Sequence, residues 1–375
     1  MLFIHFFAIS GALIFAVCRT EAERGRGKLM KNHLLLLFCA AGVLRILAAA
    51  LSQGFGTDTA CFASWADRIF TLGPGGFYSP DVFTDYPPGY MYVLWVLGAV
   101  RNLLGMEYYS VPHLILLKLP AIACDLACAG KCSQKQAFFL CAAYLFNPAV
   151  ILNSSVWGQV DSVFTLAVVF MCLCLIRGKM YPAYLSFAVG VLIKPQTLLF
   201  APVLLAGIID HVFLTDFSWQ KFFKNLIQGL SAVAALVLAS MPFGLLNVWK
   251  QYFSTVGSYP YAAVNACNLW GLFGLNWISQ DETFLGIPYR IFGTAAIAAA
   301  IVLVLLLSLR NKRDHEKYPF LGALLVLSIY VFSVRMHERY MYPGLLLLLL
   351  AYVYKPSKHI YLCYGAFSIL HFYNT

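Results

Sequence analysis

Apolar runs of nearly bilayer length recur from one end of the chain to the other, with short polar breaks between them. About 20 consecutive apolar residues are needed for a helix to cross a hydrocarbon core. Runs at 2–18, 32–52, 112–130, 136–152, 160–176, 180–193, 197–209, 226–246, 289–309, 318–334, 341–354 and 359–372 predict twelve transmembrane helices. Residues 2–18 lack the charged start and small-residue cleavage site of a signal peptide, so they read as a first span. The run 88–104 is also apolar, but counting it as a span would turn the later basic loops to the other side. It reads as an interfacial helix, with Tyr92 and Trp95 at headgroup depth. The predicted fold is all-α: a polytopic integral membrane bundle with interfacial helices on its external face.

One stretch breaks this pattern early, and the rest of the chain is organised around it. Gly56 to Gly89 is too polar for lipid and carries Asp58, Asp67, Asp81 and Asp85. Gly73 to Gly76 interrupt it, and Pro87-Pro88 end it. It lies in an external loop of about 53–111 that reads as one wall of a site at the membrane face. A second external segment, 247–288, holds Trp249, Tyr252, Tyr259, Tyr261, Trp270 and Trp277. Aromatic belts are ordinary at membrane interfaces, but two long segments over one bundle can also wall a cavity.

Composition agrees with the pattern. The chain is 61% hydrophobic and 11% charged, against about 25% charged in a soluble domain. No polar segment is long enough to fold alone, so residues 1–375 form a single integral membrane domain. The net charge of +10 does not mark a nucleic-acid binder. Lys and Arg sit in short loops (Arg19, Arg24, Arg26, Lys28 and Lys31; Lys131 and Lys135; Arg177 and Lys179; Lys221 and Lys224; Arg310, Lys312, Arg313 and Lys317; Lys355 and Lys358), the positive-inside pattern. Cys124, Cys128 and Cys132 recur at helical spacing without a neighbouring His, so they read as packing residues. Cys61 and Cys267 are both predicted outside, where a bridge is conceivable. Arg45, Lys118 and Asp125 fall inside predicted spans, where a charge must pair or serve function.

The same topology puts Asp58, Asp161, Lys194, Arg335, His337, Glu338 and Arg339 on one face, the external one. A carboxylate there can take a proton from a hydroxyl. Lys, Arg and protonated His can hold a phosphate. At a lipid boundary this pairing suits one reaction well. A hydroxyl attacks the anomeric carbon of a sugar on a lipid phosphate, the base takes the proton, and the cations stabilise the departing phosphate. A transporter or flippase of lipid-linked sugars would share such a cavity, but it would not need the Asp58 base and should show internal repeats, of which none is visible. A non-catalytic scaffold would leave these charges without common geometry.

Five motifs, in order, resemble the GT-C fold glycosyltransferases, and among them the lipid-phosphate-glucose-dependent glucosyltransferases of asparagine-linked glycosylation. Asp58 is followed by Trp65. Asp85-Tyr86-Pro87-Pro88 matches a D-Y-P-P motif. Asn147-Pro148 precedes a polar turn, Gln159-Val160-Asp161-Ser162, with Asp161 where that family has Asn. Lys194-Pro195-Gln196 is similar to a Lys-Gln pair with one inserted proline, and His337-Glu338-Arg339 to a late H-E-K. Order, sidedness and spacing hold over about residues 50–350. The resemblance implies an undecaprenyl- or dolichyl-phosphate sugar donor, a glycan or glycolipid acceptor, transfer on the external or lumenal face, and Asp58 as base. Lys194, His337 and Arg339 would contact the donor phosphate, with Trp65, Asp85, Tyr86, Gln159, Asp161, Gln196 and Glu338 in contact or support. Some GT-C enzymes use a metal through D-x-D. Gly56-Thr57-Asp58-Thr59 offers one Asp, which favours a metal-free site. The short chain suits a bacterial cell membrane; a eukaryotic member would sit in the endoplasmic reticulum.

Each residue also has a plainer reading. Asp58 could cap a helix, Asp85 could shape a turn, Trp65 could be an interface anchor, and Asp161 could favour a helix start. The Asn153-Ser154-Ser155 sequon lies too near a helix end to serve as a glycosylation acceptor.

Overall fold

The computed structural model describes residues 27–80, 82–129, 136–215, 217–312 and 314–375. The expected first span 2–18, the basic residues Arg19, Arg24, Arg26, Lys131, Lys135 and Arg313, and also Asp81 and Cys132 lie outside the described residues.

Helix α1 (Gly27–Leu51) leads into a helical hairpin of α2 (Gly56–Leu72) and α3 (Pro88–Leu103). Then follow α4 (Val111–Ala129), α5 (Gln136–Leu145) and the short α6 (Pro148–Ile151), which continues as a π-turn over Leu152–Trp157. Helices α7 (Asp161–Ile176) and α8 (Met180–Ile193) come next, then a 3-10 turn Pro195–Phe200 and α9 (Ala201–Ile208). Beyond them are α10 (Trp219–Ser240), α11 (Leu245–Gly257), strand β1 (Ala263–Val264), α12 (Leu269–Leu272) and the β2 (Thr283–Phe284) and β3 (Ile287–Pro288) hairpin. The chain closes with α13 (Tyr289–Arg310), α14 (Tyr318–Phe332), β4 (Met336–His337), α15 (Tyr342–Tyr354) and α16 (Lys358–Asn374).

This is an all-α membrane bundle. Stretches at His33–Leu51, Val111–Cys128, Pro195–Leu214, Trp219–Phe243 and Tyr289–Arg310 are long and apolar enough to cross a bilayer. A sixth, Phe138–Leu145 with Pro148–Trp157, is bent by 49°. Four further apolar helices, α7, α8, α14 and α15, are shorter. The predicted run 359–372 is a helix, α16, but it is not among these apolar elements. The core is built from α7, α8, α14 and α15, whose Val168, Met171, Ala183, Leu325 and Leu347 are buried. The apolar faces of α10 and α13 instead point outward with Ile227, Leu230, Leu238, Val302 and Leu306, as lipid-facing helices do.

The polar segment after α1 is where the structure departs most from the sequence reading. Residues 56–72 form a helix rather than a loop, because Thr59, Phe62, Ala63, Ala66 and Ile69 recur at helical spacing and are buried on one side. The break at Gly73 to Gly76 is the turn of a hairpin. Residues 88–104 are a helix as expected, starting with Pro88 at its first position. The hairpin is tight: a Cβ on Gly98 would stand 2.3 Å from the Ala66 carbonyl oxygen.

Arg45, Lys118 and Asp125, the charges expected inside spans, all find partners. Arg45 is fully buried, with its Nε 3.5 Å from an Asp125 oxygen and its NH1 donating to the Leu145 carbonyl at 2.7 Å. Asp125 also accepts from Tyr342 at 2.6 Å and from Tyr144 at 3.1 Å, which makes it a brace between helices. Lys118 donates to the carbonyls of Ala49 and Ser52. Cys61 and Cys267 are both free thiols.

Candidate active site

Asp58 sits in the first turn of α2, three residues past the N-cap Phe55, and no side chain caps that helix. Its carboxylate makes its hydrogen bonds to another segment. One oxygen accepts from the Trp157 indole N–H at 3.1 Å and from the Gln159 side-chain amide. Both donors come from the turn that ends the bent span. Asn147, the N-cap of α6, accepts from Ala149 N, and Pro148 follows it. The chain then widens into the π-turn and closes at Gly158, φ +88°, a left-handed conformation that glycine adopts without strain. That turn sets Trp157 and Gln159 on either side of one glycine, both directed at Asp58.

A cleft of about 610 Å³ opens beside this carboxylate. Its walls include Phe55, Asp58, Trp157, Tyr259, His337 and Arg339. The second long polar segment reaches the cleft through β1, which pairs in parallel with β4, Val264 opposite His337. The pairing carries Tyr259 and Asn265 to the late His337-Glu338-Arg339 segment. The His337 ring lies 4.7 Å from the Tyr259 ring and 4.9 Å from the Tyr340 ring.

Arg339 is the Lys or Arg side chain that lines this cleft among the described residues. Its NH1 donates to Glu338 at 2.7 Å, its guanidinium lies 5.7 Å over the Trp157 ring, and its buried Nε has no partner. The carboxylates of Asp161, Glu338 and Asp58 hold it firmly charged. Burial, reinforced by Arg339 and Lys194, pushes the His337 imidazole down to about 3, so the ring is neutral. His337 can thus offer an N–H to an anion but not the positive charge expected of it. Burial raises Glu338 against the pull of Arg339. Burial also raises Asp85, opposed by Arg339 and Lys194 and assisted by Asp58. One Asp85 oxygen has no partner.

The other expected residues stand behind the cleft rather than on its wall. Lys194 ends α8 and forms an ion pair with Asp161 at 2.5 Å, with the side chains only 4% and 1% exposed. The second Asp161 oxygen accepts from Asn153 at 3.3 Å. The Lys194 ammonium is ringed by Phe164, Tyr86 and Tyr340 at 5.5 to 6.0 Å. Trp65 is buried and donates to the Phe83 carbonyl at 2.9 Å, so it braces the loop that carries Asp85 and Tyr86. A small void of about 10 Å³ joins Asp161, Gln196 and Tyr340. Arg335 donates to the Ser258 carbonyl at 2.6 Å, tying the second polar segment to β4. Trp157 and Asn265 do not stand out in the sequence, and Tyr259 does so only as one aromatic of the second external segment. Trp157 lies two residues before Gln159, but its single indole N–H gains meaning only beside Asp58.

The family model of glycosyltransferase family 87 matches residues 83–336, more than half of the chain. The chain belongs to that family, whose members are membrane glycosyltransferases of the GT-C type, the class that the motifs resembled. Asp58 lies before the matched region and His337 just after it. No curated protein sequence matches the chain.

Proposed function

We propose that this family 87 glycosyltransferase transfers a hexose from a polyprenyl-phosphate sugar to an acceptor hydroxyl on a lipid-linked or cell-surface glycan, with inversion, at the external face of its membrane. The reading is carried by one observation. The Asp58 carboxylate is aimed by Trp157 and Gln159 at the rim of a cleft that also presents the permanently charged Arg339.

The acceptor oxygen attacks C1 of the sugar as the C1–O bond to the phosphate breaks. The acceptor proton passes to Asp58, and the lipid phosphate leaves with the electron pair of the broken bond. Two donated hydrogen bonds hold the Asp58 carboxylate in one orientation at the cleft, as a base requires. Arg339 meets the charge that grows on the leaving phosphate, where a fixed cation stabilises the transition state more than the ground state. His337 adds a neutral N–H to that oxygen set. Lys194 contributes from behind, as the counter-ion of Asp161. Asp85 and Tyr86 stand behind the wall and act through their charge and dipole on Arg339 and Asp58. This chemistry calls for no metal, so a chelator leaves the rate unaltered.

The test is sugar transfer by the purified protein in detergent, with a panel of radiolabelled polyprenyl-phosphate sugars and a membrane-lipid acceptor fraction. Wild type transfers; Asp58→Asn, similar in size but unable to take the proton, loses at least 100-fold in kcat with its fold intact. Transfer that survives Asp58→Asn moves the base elsewhere, to Asp85 first. Absence of transfer with any donor, together with lipid-linked sugar crossing a proteoliposome membrane, makes the protein a transporter.

A further inference from the structure

The clamp on Asp58 depends on a part of the molecule the reaction itself does not use. Helix α1 ends at Leu51, and its last carbonyls have no partner within the helix. Lys118, in α4 and 2% exposed, supplies one. Its ammonium donates to the Ala49 carbonyl at 3.2 Å and to the Ser52 carbonyl at 2.6 Å. A cation is favoured at a helix C-terminus. Its alkyl stem meanwhile lies against Gly158: a Cβ there would stand 3.1 Å from Lys118 Cγ.

Gly158 is the residue between the two donors to Asp58. Its amide and that of Gln159 both hang on the Asn153 carbonyl, at 3.1 and 2.9 Å. A second tie joins the same two segments, since Ser52 Oγ donates to the Val156 carbonyl at 3.0 Å. The α1 end leads within a few residues to Asp58, and the turn carries its donors. Lys118 touches both.

We infer that Lys118 is a positioning residue for the catalytic base: it fastens the end of α1 to the Trp157-Gly158-Gln159 turn and so sets the distance between Asp58 and its two hydrogen-bond donors. This rests on Asp58 being the base. Loosening the joint weakens the two bonds that favour the ionised carboxylate, so Asp58 holds its proton to higher pH. The other groups facing Asp58 stay the same: Arg339 from beyond β4, Asp85 and Tyr86 from the loop before α3, Tyr259 beside β1, and Cys61 on its own helix.

Lys118→Met keeps the stem against Gly158 and removes the ammonium. Ser52→Ala is the milder variant, should the first fail to fold. In the transfer assay the expected result is a kcat about tenfold lower with donor KM within about twofold, the pattern of a misaligned base. The acidic limb of the pH–rate profile moves up by about half a unit or more. A second readout needs no turnover: the Trp157 indole fluorescence changes as Asp58 takes its proton, and Trp157→Phe identifies that signal. Its midpoint moves to higher pH in Lys118→Met. A shifted midpoint in a protein that transfers no sugar leaves Lys118 as the fastener of the Asp58 clamp but overturns the function proposed above, and with it any role in catalysis. Active wild type with limb and midpoint unmoved in both variants overturns the positioning role. Loss in donor KM alone does the same.

Discussion

Lys194→Met tests how the buried ion pair behind the cleft works. The change keeps the aliphatic stem and removes the charge 2.5 Å from Asp161. Both partners are nearly sealed from water, so the Asp161 carboxylate is left with the Asn153 amide and the more distant Arg339. Removing one partner of a buried pair costs about 3–5 kcal/mol, and Arg339, which faces the same carboxylate, should hold the loss near about 3 kcal/mol. Asp161→Asn/Lys194→Met replaces both charges with neutral side chains of similar shape, so stability returns to within about 1 kcal/mol of wild type. The pair has no net charge, so the double variant should also keep donor KM within about fivefold, a cost of about 1 kcal/mol. The assays are unfolding in detergent by circular dichroism, and transfer kinetics across donor concentrations. A single variant as stable as wild type would refute the burial reasoning. A stable double variant whose donor KM rises about 100-fold, about 2.7 kcal/mol, would show that Lys194 touches the phosphate itself.

Three more outcomes follow from the same geometry. Trp157→Phe and Gln159→Leu each remove one donor to Asp58, and each should lower kcat about 10- to 100-fold with little change in unfolding temperature; full rates in both would remove the clamp from the mechanism. The neutral, buried His337 has its imidazole held down to about 3, against about 6.5 in an unfolded chain. Its contribution to stability is therefore complete above about 6.5 and lost as pH falls toward 3, by at most about 1.4 kcal/mol per pH unit. Melting scans from pH 7.5 to 5 should fall less steeply in His337→Asn than in wild type. Gly98→Ala drives a methyl into the Ala66 carbonyl and should destabilise the α2–α3 hairpin by about 1–3 kcal/mol; an unchanged melting point would mean the hairpin can open without cost.

The apolar runs made the bundle legible, because a bilayer-length helix needs only local sequence. Asp58 and the His337-Glu338-Arg339 segment stood out for the opposite reason: they are charges at the ends of runs that exclude charge. What escaped the sequence depends on contacts between distant segments. Helix α2 reads as a loop in the sequence because its five buried apolar positions are diluted by Thr57, Asp58, Thr59, Asp67 and Arg68. The β1–β4 pairing is two residues long, too short for any periodicity. Lys194 reads in the sequence as a free phosphate ligand, whereas the fold sets Asp161 beside it. Arg45 and Asp125, each alone an expensive charge in lipid, proved to be partners.

The parallel pairing of β1 with β4 also bears on biogenesis. Asp58 emerges early in synthesis, whereas His337 and Arg339 come after nearly all the intervening helices. The cleft therefore cannot close until the last quarter of the chain has been inserted. Contacts of such long sequence separation form slowly, so the polar groups around Asp58 stand unsheathed while the later helices enter. A ribosome-bound chain stalled before β4 should then hold its early helices while the cleft beside Asp58 stays open on the side that His337 and Arg339 close.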